Sequence, residues 1–274
     1  MKRGCVFLFS GTGMTKYVIE KLKAEFEKQQ VQIDVFPIDA LLIEKIRNKD
    51  IALAHYGFMG VAYPVHSFNA PKIVVDFAKR LPGIKAMDTF IISTAGAHSS
   101  MNFSSSDLLA KILRGKGFTV FYDRQFVMPC NFIVKDDEAK VQHKIDKVNM
   151  QIPGTVSDIV NLVPHSGKRS TMSKIMAALG RLEWIGLMIP VNFFYADKDC
   201  IRCGLCVNTC PNQNITVKNE KVFFERRCLL CMRCLYMCPK HSIKPYRIYK
   251  FFSFDEWYEN DELKDSYRSI TSKQ

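Results

Sequence analysis

The most constraining feature of this 274-residue chain is a cysteine pattern that occurs twice near its C-terminal end. "CIRCGLCVNTCP" places Cys200, Cys203, Cys206 and Cys210 ahead of a proline, and "CLLCMRCLYMCP" places Cys228, Cys231, Cys234 and Cys238 in the same frame. Each stretch reads Cys-x2-Cys-x2-Cys-x3-Cys-Pro. Two-residue gaps turn successive thiolates toward one centre, so three of them clasp three corners of a cubane. The fourth, before the proline, crosses to the cluster of the other motif. The spacing therefore predicts one [4Fe–4S] cluster on Cys200, Cys203, Cys206 and Cys238, and a second on Cys228, Cys231, Cys234 and Cys210. Structural zinc is the competing reading. It favours pairs of Cys-x2–4-Cys set apart by a longer loop, and a duplicated run of four cysteines ending in proline fits it poorly.

The rest of the sequence agrees with a reduced, metal-binding use of cysteine. Met1-Lys2-Arg3 runs straight into the short apolar stretch "GCVFLFSG" with no cleavage site, so we expect no signal peptide and a cytoplasmic protein. In that compartment ten cysteines do not read as a disulfide framework. Cys5 lies inside an apolar run and reads as core. Cys130, in "MPCNF", reads as a small buried hydrophobe rather than a reactive thiol. The apolar stretch "WIGLMIPVNFF" at 184–194 holds a proline and is too short to cross a bilayer. A formal charge of +12 suggests nucleic acid at first sight. Two oxidised cubanes with their thiolates bring about −4 and a flavin phosphate about −2, which leaves a loaded chain near +6. No Arg/Lys run with interleaved aromatics tracks a phosphate backbone, so we expect no nucleic-acid partner.

Ahead of the cysteines, strand and helix patterns alternate. "CVFLFS" (5–10) suits a strand buried on both faces, and "VQIDVF" (31–36), "IALAHY" (51–56), "TFIIST" (89–94) and "TVFYDRQFV" (119–127) are further strand candidates. "KYVIEKLKAEFEKQ" (16–29), "APKIVVDFAKRL" (70–81) and "SSDLLAKILRGKG" (105–117) have helical spacing. Five strands with helices between them imply an α/β fold, a parallel sheet covered on both faces that binds ligands at the carboxyl ends of its strands. The loop after the first strand is Ser10-Gly11-Thr12-Gly13-Met14-Thr15, leading directly into a helix. Its backbone amides and hydroxyls suit a terminal monophosphate. It lacks the frame of a Walker loop, and Lys16 stands where a dinucleotide fingerprint needs a third glycine. The plainer alternative is an N-capped glycine turn.

"SGTGMT" matches the flavodoxin phosphate-loop pattern Ser/Thr-x-Thr-Gly-x-Thr, and residues 1 to about 130 resemble a flavodoxin. The duplicated motif, with two short strands expected around Lys218-Asn219-Glu220-Lys221, resembles a bacterial ferredoxin. Together they resemble the flavodoxin–ferredoxin fusion proteins found largely in anaerobic bacteria. That resemblance implies a flavodoxin-like five-stranded parallel sheet followed by a small α+β ferredoxin-like domain. It implies FMN, with its phosphate at Ser10, Thr12 and Thr15. The flavin ring is expected between "GFMGVAYPVHSFNAP" (57–71) and "TAGAHSS" (94–100), touching Pro64, Val65, Thr94, Ala95 and Gly96. Tyr63, His66 and Phe68 are all candidates to stack on it. His66 and His98 also admit a proton-donor role, against a packing role for each.

The chain departs from a plain flavodoxin after the fifth strand. A helical stretch at 136–163 is interrupted by Pro153, and a polar linker at 164–171 leads to a probable helix at 172–186. Met172, Met176, Leu179 and Leu182 form a stripe read as core packing; a peripheral membrane role for 172–194 is the alternative. We expect domains at 1–164 and 196–247, a docking linker at 165–195, and a surface tail at 248–274. The expected function is electron transfer between two [4Fe–4S] clusters, FMN and an acidic partner such as a ferredoxin or reductase. The alternatives are an FMN-dependent reductase of a quinone, nitro compound or corrinoid, and, on weaker grounds, a nucleic-acid or redox-sensing module with structural clusters. A homodimer is left open.

Overall fold

The computed structural model describes residues 2–47, 53–97, 100–132, 134–185 and 194–245. Five strands, β1 (Lys2–Leu8), β2 (Val31–Pro37), β3 (Phe58–Pro64), β4 (Met87–Ala95) and β5 (Phe118–Val127), form one parallel sheet in the order 2-1-3-4-5. That order is the flavodoxin-like doubly wound topology, and it places a switch point between β1 and β3. Helices α1 (Met14–Lys28) and α5 (Glu138–Val160) cover one face. Helices α2 (Ala40–Arg47), α3 (Lys72–Arg80) and α4 (Asp107–Gly115) cover the other. With both faces covered, the central strands are near-continuous apolar runs, as parallel sheets require.

Three sequence expectations are corrected here. The third strand is Phe58–Pro64, and Leu53–His55 is a single 3-10 turn, so the strand candidate at 51–56 fails. Glycines made "GFMGVAYP" look like a loop. At Gly60 the missing side chain leaves room for the Phe90 ring of the neighbouring strand, with which a Cβ would collide. The second correction is α5, which runs unbroken through Pro153. Val148, Ile152, Val156 and Ile159 carry its buried stripe across the proline, and Asp137 caps its start by accepting the Lys140 amide at 2.9 Å. Burial of that stripe outweighs one missing backbone hydrogen bond. Helix α2 has no counterpart among the expectations, although Asp39 announces it by capping the Leu42 amide at 2.8 Å.

The third correction concerns α6 (Thr171–Gly180). Met172 is 57% and Leu179 52% exposed, so the apolar stripe does not face the core. The helix packs instead through Ser173, Ala177 and Gly180, whose small side chains let its backbone approach the loop after β3.

A two-residue hairpin, β6 (Asn131–Phe132) and β7 (Val134–Lys135), separates β5 from α5. The C-terminal module begins with β8 (Phe194–Ala196), which pairs antiparallel with β11 (Ile243–Pro245). Between them lie α7 (Leu205–Thr209), the hairpin β9 (Ile215–Lys218) and β10 (Lys221–Phe224), and α8 (Arg233–Met237). The hairpin falls where the sequence places it, and Asn219 and Glu220 turn it with φ of 47° and 59°. The β8–β11 pairing includes Phe194 and Tyr195, two residues ahead of the expected boundary at 196. His98 and the 248–274 tail lie outside the described residues.

Candidate functional site

The loop Ser10–Thr15 leaves β1 at the carboxyl edge of the sheet and enters α1 through Gly13, whose φ of 90° only glycine adopts freely. The first intrahelical bond is Tyr17 N–H to Gly13 O at 2.9 Å, so the amides of the first turn point toward the loop. Ser10 Oγ accepts one of them, the Lys16 amide, at 3.3 Å. Thr15 is buried and shares a hydrogen bond of 2.8 Å with Thr94 on β4. The Ser10 and Thr15 hydroxyls, both expected at a phosphate, therefore make internal bonds, and Thr12 is half-buried.

The two loops expected at the flavin ring lie side by side. Val65 N–H bonds Thr94 O at 2.8 Å, which prolongs the β3–β4 ladder past Pro64, and Ala95 closes β4 in a buried position. Residues 66–69 make a tight turn. His66 and Asn69 exchange backbone bonds of 2.9 and 2.8 Å, while Ser67 and Phe68 take φ of 41° and 62°. Phe68 is at the tip. Tyr63, by contrast, is fully buried in the core on the α3–α4 side, which leaves His66 and Phe68 as the candidates nearest the surface. His66 packs edge-on to Phe9, and desolvation lowers its imidazole to about 4, so it is neutral at physiological pH. Gly96 lies under Cys130, whose Sγ stands 3.0 Å from where a Cβ would be. Cys5 is wholly buried and its thiol is pushed up to about 12, chiefly by desolvation.

Helix α6 covers these loops, a feature sequence reasoning assigned only in outline. Asn69 Nδ2 donates to Ser67 O at 3.0 Å and to Ala177 O at 2.7 Å, and Ser104 and Ser173 share a hydroxyl bond of 2.7 Å. Gly180 sits so close to the Ser67 carbonyl that a side chain there would collide with it.

The eight cysteines fall into two neighbourhoods that mix the motifs. Cys200, Cys203, Cys206 and Cys238 line one apolar cavity together with Val217 and Ile243. Burial, reinforced by Cys200, Cys203 and Cys238, pushes the Cys206 thiol up to about 11. Cys234 is raised well above its ordinary value, first by burial and then by Cys231, Cys228 and Cys210. Metal binding must displace protons that such thiols hold at neutral pH. Sulfur atoms also accept backbone amides: Asn214 N–H to Cys210 and Ser242 N–H to Cys238, both at 3.2 Å, and Leu230 N–H to Cys228 at 3.4 Å.

The second motif rests on the loop at 10–15, the one expected to hold a phosphate. A Cβ on Gly11 would run into the Cys231 carbonyl oxygen. Arg233 Nη2 donates to Ser10 O at 2.6 Å, and its Nη1 to Thr209 O at 3.2 Å. Ala40 N–H, at the start of α2, bonds Pro211 O at 2.9 Å. Leu229, Cys231 and Trp184 pack against the core on the α2–α3 side of the sheet. Cys231 is raised by burial, while the Arg233 charge pulls it the other way.

Residues 199–242 match the family model for the 4Fe-4S dicluster domain. The chain joins a flavodoxin-like domain to a 4Fe–4S dicluster domain. Among solved structures, oxidised flavodoxin 2 from Bacillus cereus is similar over 59% of this chain and 99% of its own, at 12% identity and a TM-score of 0.42. A short-chain flavodoxin associated with a non-canonical PDU bacterial microcompartment is similar over 58% of this fusion and 99% of its own length, at 14% identity and a TM-score of 0.39. Rubredoxin oxygen:oxidoreductase from Desulfovibrio gigas is similar over 58% and 37%, at 13% identity and a TM-score of 0.37. The strand order, not these overlaps, assigns the fold of the fusion's first half. No curated protein sequence matches the fusion chain. Among the described residues no helix is long and apolar enough to cross a membrane.

Proposed function

We propose that this chain is an electron-transfer flavoprotein that carries two [4Fe–4S] clusters and FMN and exchanges electrons with a separate redox partner. The observation that carries this reading is the seating of Cys231 and Arg233 on the phosphate loop at Gly11 and Ser10. One chain thereby brings an iron–sulfur motif against a flavin-type loop, which removes a bimolecular encounter between them.

The residues present fit both groups. Cys200, Cys203, Cys206 and Cys238 enclose a common cavity, and Cys234 has Cys231, Cys228 and Cys210 as neighbours. Among the described residues no three His, Cys, Asp or Glu side chains converge on a single-ion site, whereas a cubane needs its thiolates spread about its corners. For FMN, the start of α1 offers backbone amides at Gly13–Thr15 to a phosphate, and the turn at 66–69 offers Phe68 and His66 to the ring. When bound, each cubane supplies one-electron exchange and the flavin accepts two electrons, singly or as a pair.

The chain's own residues then have distinct work. Asn214 and Ser242 amides stabilise the charge on Cys210 and Cys238. Helix α6 braces the ring loops through Asn69 and shields them from water. Neutral His66 packs there rather than acting as an imidazolium donor. In this reading residues 1–164 hold the flavin, 165–195 dock the modules, and 196–247 carry the clusters. The net positive charge left after loading suits an acidic partner.

The test is anaerobic purification with iron, sulfide and flavin analysis, followed by stepwise reduction watched optically and by EPR. About eight irons and one FMN per chain, with both centres reducible, are expected. Zinc in place of iron, or no flavin, overturns the reading. Rapid reoxidation by a quinone or nitro compound alone would make the chain a reductase instead.

A further inference from the structure

The two cysteine motifs repeat in backbone as well as in sequence. Positive-φ residues recur at Arg202 and Leu230, at Gly204 and Met232, and at Gln213 and His241. The amide–sulfur bonds of Cys210 and Cys238 recur at the same offset. The short helices that follow also correspond, but their first residues do not. Leu205 opens α7 and lines the first cysteine cavity, whereas Arg233 opens α8. The first motif shows that gathering four cysteines requires no guanidinium at this position.

Arg233 reaches the other domain at Ser10 as well as its own module at Thr209. It is 9% exposed, with one nitrogen on Ser10 O and another on Thr209 O, and its Nε is buried without an acceptor. Among the described residues no carboxylate pairs with it. A guanidinium keeps its charge, and a buried cation without a counter-anion is costly. The proposed function would bring two anions to its neighbourhood, thiolate-bound iron on the Cys231 side and a phosphate on the Ser10 side.

We propose that Arg233 is a positioning residue that couples flavin binding at the phosphate loop to assembly of the cluster containing Cys231, an inference that rests on the electron-transfer reading above. Without iron, a segment as small as 199–242 has too little core to hold its shape. Arg233 and the Cys231 carbonyl then leave Ser10 and Gly11, and the loop loses its brace. By linkage, flavin on the loop must in turn retain the cluster by the same factor.

The test uses the full chain loaded with iron. Iron retained at equilibrium across a chelator series is measured with FMN saturating and with FMN removed, and FMN affinity is measured on iron-loaded and iron-stripped protein. In the wild type, FMN should raise the chelator concentration needed to strip iron, and iron should tighten FMN binding, by about fivefold or more. Arg233→Leu copies the first motif, so it should still gather iron while both factors fall toward one. Arg233→Lys keeps the charge but loses the two-pronged bond, and its factors should lie between. It carries the comparison if the leucine variant does not accumulate. A factor of one in the wild type, or an undiminished factor in either variant, overturns the coupling. Failure to find iron or FMN at all would instead overturn the electron-transfer reading.

Discussion

His66 illustrates how a single residue changes meaning with its surroundings. A loop histidine beside an expected flavin invites a proton-donor role, but desolvation against Phe9 lowers its imidazole from 6.5 to about 4. The unfolded chain therefore takes up the proton first as pH falls. Stability from this group is full above about pH 6.5 and is lost toward pH 4. Between pH 7 and pH 5 the loss is about 2 kcal/mol. Chemical denaturation at the two pH values should show the wild type losing that much more than His66→Gln; equal losses would mean the ring is solvated. Cys238 tests the other kind of residue-scale reading, the crossing of the fourth ligand. Cys238→Ser should perturb the same EPR signal as Cys203→Ser and spare the one that Cys231→Ser perturbs. The reverse pattern would assign Cys238 to its own motif.

At the scale of elements, local pattern and tertiary packing disagree in instructive places. Pro153 reads as a helix breaker, yet α5 passes through it because Val148, Ile152 and Val156 are buried on both sides of the break. The proline remains unfavourable in place, so Pro153→Ala should raise the midpoint of denaturation by the equivalent of about 1 kcal/mol, the helix gain being partly offset in the unfolded chain. Helix α6 reverses the usual rule of burial. Its apolar stripe faces outward, and Ser173, Ala177 and Gly180 do the packing. A side chain at Gly180 would meet the Ser67 carbonyl, so Gly180→Ala should displace α6 from the loop. Faster proteolysis within 161–185 than in the wild type would register that displacement. Helix α2 was missed although Asp39 is a good cap, because eight residues with one short apolar face give a weak periodic signal.

The whole molecule depends on two different sources of stability. The five-stranded sheet has a covered core on each face, while among the described residues the C-terminal module has a small apolar cluster built on Phe194, Met232, Leu235 and Ile243. Removing iron should therefore unfold the module and leave the sheet standing. Hydrogen exchange after chelation would show protection lost over 194–245 and kept in β1, β3 and β4; loss over both would mean that the modules fold as one unit. The charge of the loaded molecule acts at the same scale. Exchange with an acidic partner should slow as salt rises, since steering between opposite charges is screened within a Debye length of about 10 Å at 0.1 M.

The sequence alone determined the chemistry of the cysteines, because a cubane imposes a short, repeated spacing that survives in one dimension. It also determined most of the sheet, since strands buried on both faces must be continuous apolar runs. The glycine turn at 10–15 was legible for a similar reason, a glycine being needed where φ turns positive before α1. Other features required the folded chain. The third strand was hidden because Gly60 makes way for a ring on a neighbouring strand, a fact about packing rather than pattern. The full burial of Tyr63, one of three aromatic candidates in its loop, is likewise a fact about packing. The meeting of Arg233 with Ser10 joins residues 223 positions apart, and only tertiary structure decides contacts that no local spacing encodes.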